Sequence, residues 1–343
     1  MPNPVITRAI DRLMSRVDLS VEDTSAVLAE IMDGNASEVE TAGVLVALRT
    51  KGETVEEIEG LARTMRRFAT PVHAGLDDLV DTAGTGGGRP TFNVSTTAAL
   101  IAAGAGCSVA KHGNRSATGL SGSADLLEAL GVRIDLAPDA VARCIREVGF
   151  GFMFAPAHHS ATRYVVPVRK ELAVRTIFNF LGPLTNPAGA TRQVIGVSDP
   201  AFLDTMAGAL ARLGARKALV VSSADGLDEM STSGMTRVVE VDAGEVRRYE
   251  VEPEDVGLTR ASPDAIGGGT PDANAATTRR ILAGQPGPER DLALFNAGAA
   301  VYVGGAADSL GEGVARAAEA VDSGAAARAL DALTAMTATL SAG

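Results

Sequence analysis

The sequence predicts an α/β protein: a small helical domain followed by a larger α/β domain with a mostly parallel central sheet and flanking helices. Three observations carry this prediction. Hydroxyl-to-acid spacings punctuate the first 70 residues, and short apolar runs alternate with helical patterns from Leu76 onward. Glycine, at 38 of 343 residues, suits close packing of helices on a sheet.

The helical domain comes first. Ser20 with Asp23, Ser37 with Glu40 and Thr54 with Glu57 each pair an N-cap hydroxyl with an acid three residues on. Such a pair satisfies two orphan amides reciprocally and starts a helix. Gly34, Gly52 and the stretch from Phe68 to Pro71 supply the ends. Strands are expected at Leu79–Thr82, Ser108–Lys111, Gly151–Ala155, Gln193–Val197, Ala218–Ser222 and Arg237–Val241. Helical patterns at Thr96–Gly104, Ser123–Leu130, Asp139–Val148 and Pro200–Leu213 separate most of them, which implies parallel pairing. Helices from Asp272, over Leu292–Tyr302 and over Leu310–Thr339 close the chain. Arg169–Pro187 interrupts the alternation with a run of turn formers and is expected between the domains, where closing hinges lie. The expected division is therefore 1–72, joined by 170–190, against 73–169 and 191–343.

Composition excludes several classes of function. With 46% hydrophobic and 21% charged residues the chain is an ordinary globular protein. Aromatics make up 3%, so Ala, Leu, Val and Ile must build the core. A net charge of -11 disfavours a nucleic-acid partner, whose affinity rests on clustered Lys and Arg. Cys107 and Cys144 are too few and too far apart for a disulfide scaffold or a zinc site and are expected as small core residues. The N-terminus lacks a signal-peptide apolar stretch, and the Ala-rich run Thr97–Val109 is too short to span a bilayer. A cytoplasmic protein with no membrane contact is expected.

Chemistry concentrates in four places. Asp81-Thr82-Ala83-Gly84-Thr85-Gly86-Gly87-Gly88 follows a strand and precedes a helix expected to be capped by Ser95 or Thr96. Glycines there admit a ligand close to the backbone, and free amides at a helix start attract anions. No Lys-Ser/Thr follows at P-loop spacing, and Arg89 occupies the third glycine position of a dinucleotide fingerprint. The plain alternative is a tight turn with structural glycines. Lys111-His112-Gly113-Asn114-Arg115-Ser116 ends the next strand on the ligand face of a parallel sheet, where Lys111 and Arg115 suit phosphate oxygens. Ser121–Asp125 opens a helix, either as an ordinary cap or as a second anion site. Asp225-Gly226-Leu227-Asp228-Glu229 is either an acidic loop tip or a cation site, since Mg²⁺ commonly bridges one or two carboxylates to substrate phosphates. His158, His159 and Arg169 complete the inventory. No nucleophile arrangement and no strong general base is present, so positioning and electrostatics are the expected means of catalysis.

In this order the segments resemble the anthranilate phosphoribosyltransferase family. The matching residues are Gly84–Gly87, Phe92–Thr96, Val109–Arg115, Ser121–Asp125, Val168–Leu172, Arg175–Asn179 with Gly182–Pro187, and Asp225–Glu229. The resemblance implies Mg²⁺-dependent transfer of phosphoribose from PRPP to the amine of anthranilate, without a covalent intermediate. It implies PRPP contacts at Gly84, Thr85, Gly86, Gly87, Thr91, Asn93, Ser95, Thr96, Lys111 and Ser123. Gly84, His112, Asn114, His159 and Arg169 would form the anthranilate side, with Arg169 facing its carboxylate. Ser95, Asp228 and Glu229 would hold two Mg²⁺ ions. A homodimer through the helical domain is also implied, and association with anthranilate synthase is admitted.

One departure stands out. Gly88 occupies the place of a family Asp, and the loop before Asn93 is one residue shorter. Altered Mg²⁺ dependence is expected from the missing carboxylate. Two other readings compete. A pyrimidine nucleoside phosphorylase-like enzyme shares the architecture but lacks the Lys-His-Gly-Asn setting and the adjacent Asp-Glu. A non-catalytic nucleic-acid-binding paralogue would want a basic groove.

Overall fold

The computed structural model describes residues 1–116 and 119–341. Four helices open the chain: α1 (Pro4–Met14), α2 (Val21–Met32), α3 (Glu38–Lys51) and α4 (Val55–Phe68). All three expected capping boxes form, at Ser20/Asp23, Ser37/Glu40 and Thr54/Glu57. The first helix is capped separately by Asn3, whose side chain accepts from the amides of Val5 and Ile6.

Seven strands follow: β1 (Leu79–Asp81), β2 (Ser108–Gly113), β3 (Phe150–Phe154), β4 (Arg192–Gly196), β5 (Lys217–Ser223), β6 (Thr236–Asp242) and β7 (Glu245–Val251). They form one sheet in the order β3-β2-β1-β4-β5-β6-β7. The first five are parallel, with Val80 opposite Val109 on one side and Arg192 on the other. The last two run antiparallel and make a hairpin that periodicity had not indicated beyond β6. Most of β7 is exposed and its residues 247, 248 and 250 are charged, so it shows little apolar signal. It turns at Ala243 and Gly244, both with positive φ, as a two-residue hairpin requires.

Alternation along the strands divides the core. Val194, Leu219, Val221 and Val238 point to one face, under α5 (Val94–Gly104) and the helix Pro288–Val303. Ile195, Val220, Val239 and Val241 point to the other, where they join the apolar faces of α1 to α4. Ile177, Phe178, Phe180, Leu181 and Leu184 of the interrupting segment belong to that same cluster. Both cysteines are buried and unpaired, as expected of core residues. Among the described residues no helix is long and apolar enough to cross a membrane.

Candidate active site

From β1 the chain proceeds through β2 and β3 on one side, then returns to β4 and β5 on the other. Loops leaving β1 and β4 therefore diverge and open a crevice at their carboxyl ends. The glycine turn, the Lys111–Ser116 segment and the Asp225–Glu229 loop all leave strands on this edge.

The glycine turn is held from two sides. The Thr85 amide donates to Gly196 O at 2.8 Å, and the Arg89 amide donates to Gly226 O at 2.8 Å. The Arg89 guanidinium pairs with Asp225 at 3.0 Å and donates to Pro263 O at 2.8 Å. Thr91 lies against Gly268. Helix α5 begins at Val94, so the cap position falls on Asn93 rather than on Ser95 or Thr96. Burial of Val94 in the core draws the helix start forward past the hydroxyls. Asn93 makes no cap bond. Its Oδ1 accepts from Ser121 Oγ at 2.8 Å and from Asn274 Nδ2 at 2.9 Å, and its Nδ2 donates to Ser121 O at 3.0 Å. Ser95 and Thr96 occupy the first helical turn, and Thr96 Oγ1 is buried without a partner.

Lys111 is 1% exposed and points its ammonium along the start of α5. It donates to Thr82 Oγ1 at 2.9 Å, to Thr82 O at 3.3 Å and to Ser95 Oγ at 3.5 Å. Burial lowers it to about 8, against the attraction of Asp81 and Glu229. Ser123, the first residue of α6 (Ser123–Ala129), packs its Cβ against Gly113. Arg115, expected to face phosphate, instead pairs with Asp125 at 2.7 Å and with Glu128 at 2.6 Å. Those acids lie on α6 and draw the guanidinium out over Phe154.

Asp228 and Glu229 are half-buried at the acid loop. Burial raises both carboxyls, and Glu229 rises well above the usual range because Asp228 adds its own negative field. The amides of Gly86 and Gly88 and the charge of Arg175 oppose the rise at Asp228. Two desolvated acids that destabilise each other fit a divalent cation, since hard oxygen donors and a shared positive charge relieve both. Among the described residues no group of three or more His, Cys, Asp or Glu side chains gathers that could hold a metal ion.

Gly88 sits against Asp228. A Cβ built there would run into Asp228 Oδ1 and lie 2.8 Å from the Asp228 amide. The shortened turn thus presses the acid loop directly, and a carboxylate at position 88 has no room unless that loop moves.

Beside the glycine turn lies a cavity of about 590 Å³, with Gly84, His112, Asn114, His159 and Arg169 all in its wall. His112 Nδ1 is 3.1 Å from Gly182 O, which assigns the proton to Nδ1 and leaves Nε2 as an acceptor. Nε2 of His112 and of His159 are both buried without hydrogen-bond partners among the described residues. The rings stand 5.0 Å apart. Burial lowers His112 to about 3 and His159 to about 4, so both are neutral near pH 7. Arg169 lies on α9 (Val166–Leu172), with its guanidinium 5.7 Å from the Phe178 ring centroid. No side-chain hydrogen bond engages it among the described residues, and burial lowers its pKa. The lining is largely apolar and carries two cations, Arg169 and Arg163, of which Arg163 donates to Tyr164 OH at 2.9 Å, together with the two neutral imidazoles.

Comparison with known proteins decides the family. Residues 76–327 match the α/β domain of the glycosyl transferase family, and residues 7–69 match its helical bundle domain. An anthranilate phosphoribosyltransferase from an Anaeromyxobacter species is 54% identical over 97% of this chain and 99% of its own length. The chain belongs to the anthranilate phosphoribosyltransferase family. The Thermus thermophilus member superposes with a TM-score of 0.91 at 48% identity, covering 96% of this chain and 99% of that one. The Saccharomyces cerevisiae anthranilate phosphoribosyltransferase in complex with PRPP and Mg gives 0.89 at 27% identity, with coverage of 97% and 98%.

In this anthranilate phosphoribosyltransferase fold, the site residues rest on supporting contacts that motif spacing does not record. Asp81 is fully buried and accepts from the His112 amide at 3.1 Å and from Asn186 Nδ2 at 2.7 Å. Asn186 also donates to Ala110 O at 2.8 Å, tying the turn formers after α10 (Phe178–Leu181) to β2. Asn274 holds Asn93 from a helix 181 residues away. Asp81 and Asn186 stand within motifs legible in the sequence, but which partners they bond is not legible there, and Asn274 stands in none.

Proposed function

We propose that this chain transfers the 5-phosphoribosyl group of PRPP to the amine of anthranilate, giving N-(5-phosphoribosyl)anthranilate and pyrophosphate in tryptophan biosynthesis. The observation that carries this reading is the union of two unlike sites in one crevice. A glycine turn with Lys111 and an adjacent acid pair adjoins a largely apolar cavity whose lining carries Arg169.

The glycine-turn amides, Ser95, Ser123 and Lys111 hold the phosphorylated sugar. Asp228, Glu229 and Ser95 would hold Mg²⁺, with two ions the proposed number, which would supply charge neutralisation to the diphosphate. Arg169 takes the anthranilate carboxylate. His112 and His159 stay neutral and present Nε2 lone pairs to the amine N–H groups. The C1–O bond to diphosphate breaks with oxocarbenium character, and the amine nitrogen bonds to C1 from the opposite side. The nitrogen, acidic once attached, loses its proton to water. No buried strong base is needed, and in-line positioning supplies much of the rate.

The segment 170–190 is proposed to move with the helical domain, and two copies are proposed to pair through that domain. The exposed apolar residues Met14 at the end of α1 and Val17 after it, with Val39 and Val46 on α3, offer the pairing face. The deciding experiment mixes protein, Mg²⁺, PRPP and anthranilate and follows anthranilate fluorescence. PRPP-dependent loss of signal is expected; its absence removes the proposal.

A further inference from the structure

Arg175 occupies the stretch between α9 and α10, six residues beyond Arg169, and does not belong to the contacts assigned above. Its Nη1 donates to Gly86 O at 3.0 Å, and its guanidinium lies 5.6 Å from the Phe180 ring centroid. A Cβ built on Gly87 would run into that Nη1, and Gly87 itself has φ of 85°. Position 87 is therefore a seat for the guanidinium, and any side chain there would displace it. Nη2 is buried and has no hydrogen-bond partner among the described residues.

A buried donor left unpaired is costly, because it gives up its bonds to water without replacing them. Here the unpaired donor belongs to a planar fork that suits phosphate oxygens, and the fork rests on the turn assigned to the phosphorylated substrate. We propose that Arg175 is a binding residue for the substrate's diphosphate: Nη1 holds the glycine turn through Gly86 O, and Nη2 takes a phosphate oxygen once the turn is loaded. This inference rests on the function proposed above and adds a contact to it. It also makes one short segment carry a cation to each substrate, Arg175 to the diphosphate and Arg169 to the carboxylate.

The test is calorimetric titration of the full-length protein with pyrophosphate in the presence of Mg²⁺, alongside steady-state kinetics for both substrates. Arg175→Gln should weaken pyrophosphate binding about tenfold or more, the loss of one charge-assisted bond. It should raise KM for PRPP while leaving KM for anthranilate and the melting temperature in place. Arg175→Lys, which keeps the charge and loses the fork, should fall between the two; if the Gln variant folds poorly, this variant decides. Pyrophosphate affinity unchanged in both variants overturns the inference. So does an equal loss for both substrates with a lowered melting temperature, since that marks a purely structural contact. A wild-type protein that binds pyrophosphate but fails to consume anthranilate overturns the function and leaves the Arg175 contact standing. A wild type that binds neither overturns both.

Discussion

At the anion end of the crevice, backbone-rich loops converge and many polar groups are paired: Asn93 with Ser121 and Asn274, Lys111 with Thr82, Arg89 with Asp225. At the cavity end, two imidazoles keep Nε2 bare and Arg169 keeps an unengaged guanidinium against an apolar wall. Under the proposed function the anion end would take a ligand of high charge, which needs fixed donors and counter-charges before it arrives. The cavity end would, on the same reading, take a flat, weakly basic ligand with a single carboxylate, for which desolvated neutral acceptors and a cation suffice.

Substitutions at the two ends should therefore separate the two substrates. Asp228→Ala, the largest expected effect, should lower kcat/KM for PRPP on the order of 10²–10³-fold, the usual loss for one preorganised electrostatic contact. Anthranilate affinity measured without PRPP should hold; a matching loss there would break the comparison. Arg169→Ala should lower kcat/KM for anthranilate about 10–100-fold through a lost charge-assisted bond, with KM for PRPP unchanged. The reverse selectivity would exchange the roles of the two ends.

Acid should weaken the cavity end. His112 and His159, at about 3 and 4 in the folded protein, stay neutral there while the unfolded chain binds protons below its ordinary 6.5. The unfolded state then holds more protons, so this contribution to stability is complete above pH 6.5 and is lost as pH falls toward 4 and 3. The limiting slope is about 1.4 kcal/mol per pH unit for each histidine. Urea midpoints between pH 7.5 and 5 measure it, and a His112→Gln, His159→Gln double variant should flatten the dependence. Gly88→Asp sharpens the view of the anion end. Its Cβ must displace Asp228, so a loss of about 1–3 kcal/mol in stability and a higher Mg²⁺ requirement are expected. A lower Mg²⁺ requirement would mean that the loop opens to admit the carboxylate. The smallest effect is at Ala173, which ends α9 in the left-handed region at φ 51°. Ala173→Gly should raise the melting temperature, gaining about 0.5–1 kcal/mol.

The site was legible from motifs where function needs particular residues at short spacing. Gly84–Gly87, Lys111–Asn114 and Asp228-Glu229 each sit on one strand end, and alternation of strands with helices already brings such ends to one edge. Arg115 misled because its acidic partners stand on a helix ten and thirteen residues later, and a pattern of residue types cannot state which opposite charge a flexible guanidinium meets. Strand β7 was missed because an exposed edge strand carries charges where periodicity looks for apolar residues.

What the sequence determined by itself is local chemistry. Three capping boxes start three helices, a run of glycines follows a strand and precedes a helix, and the Asp-Glu pair places two hard donors in one loop. These depend on interactions within a few residues, which spacing encodes directly. Only the tertiary structure decided the long-range relations: Asn274 against Asn93, Gly88 against Asp228, Arg175 seated on Gly87, and both histidines desolvated into neutrality. Those follow from how separate elements pack, where burial and close approach set charge and geometry, and no spacing along the chain records them.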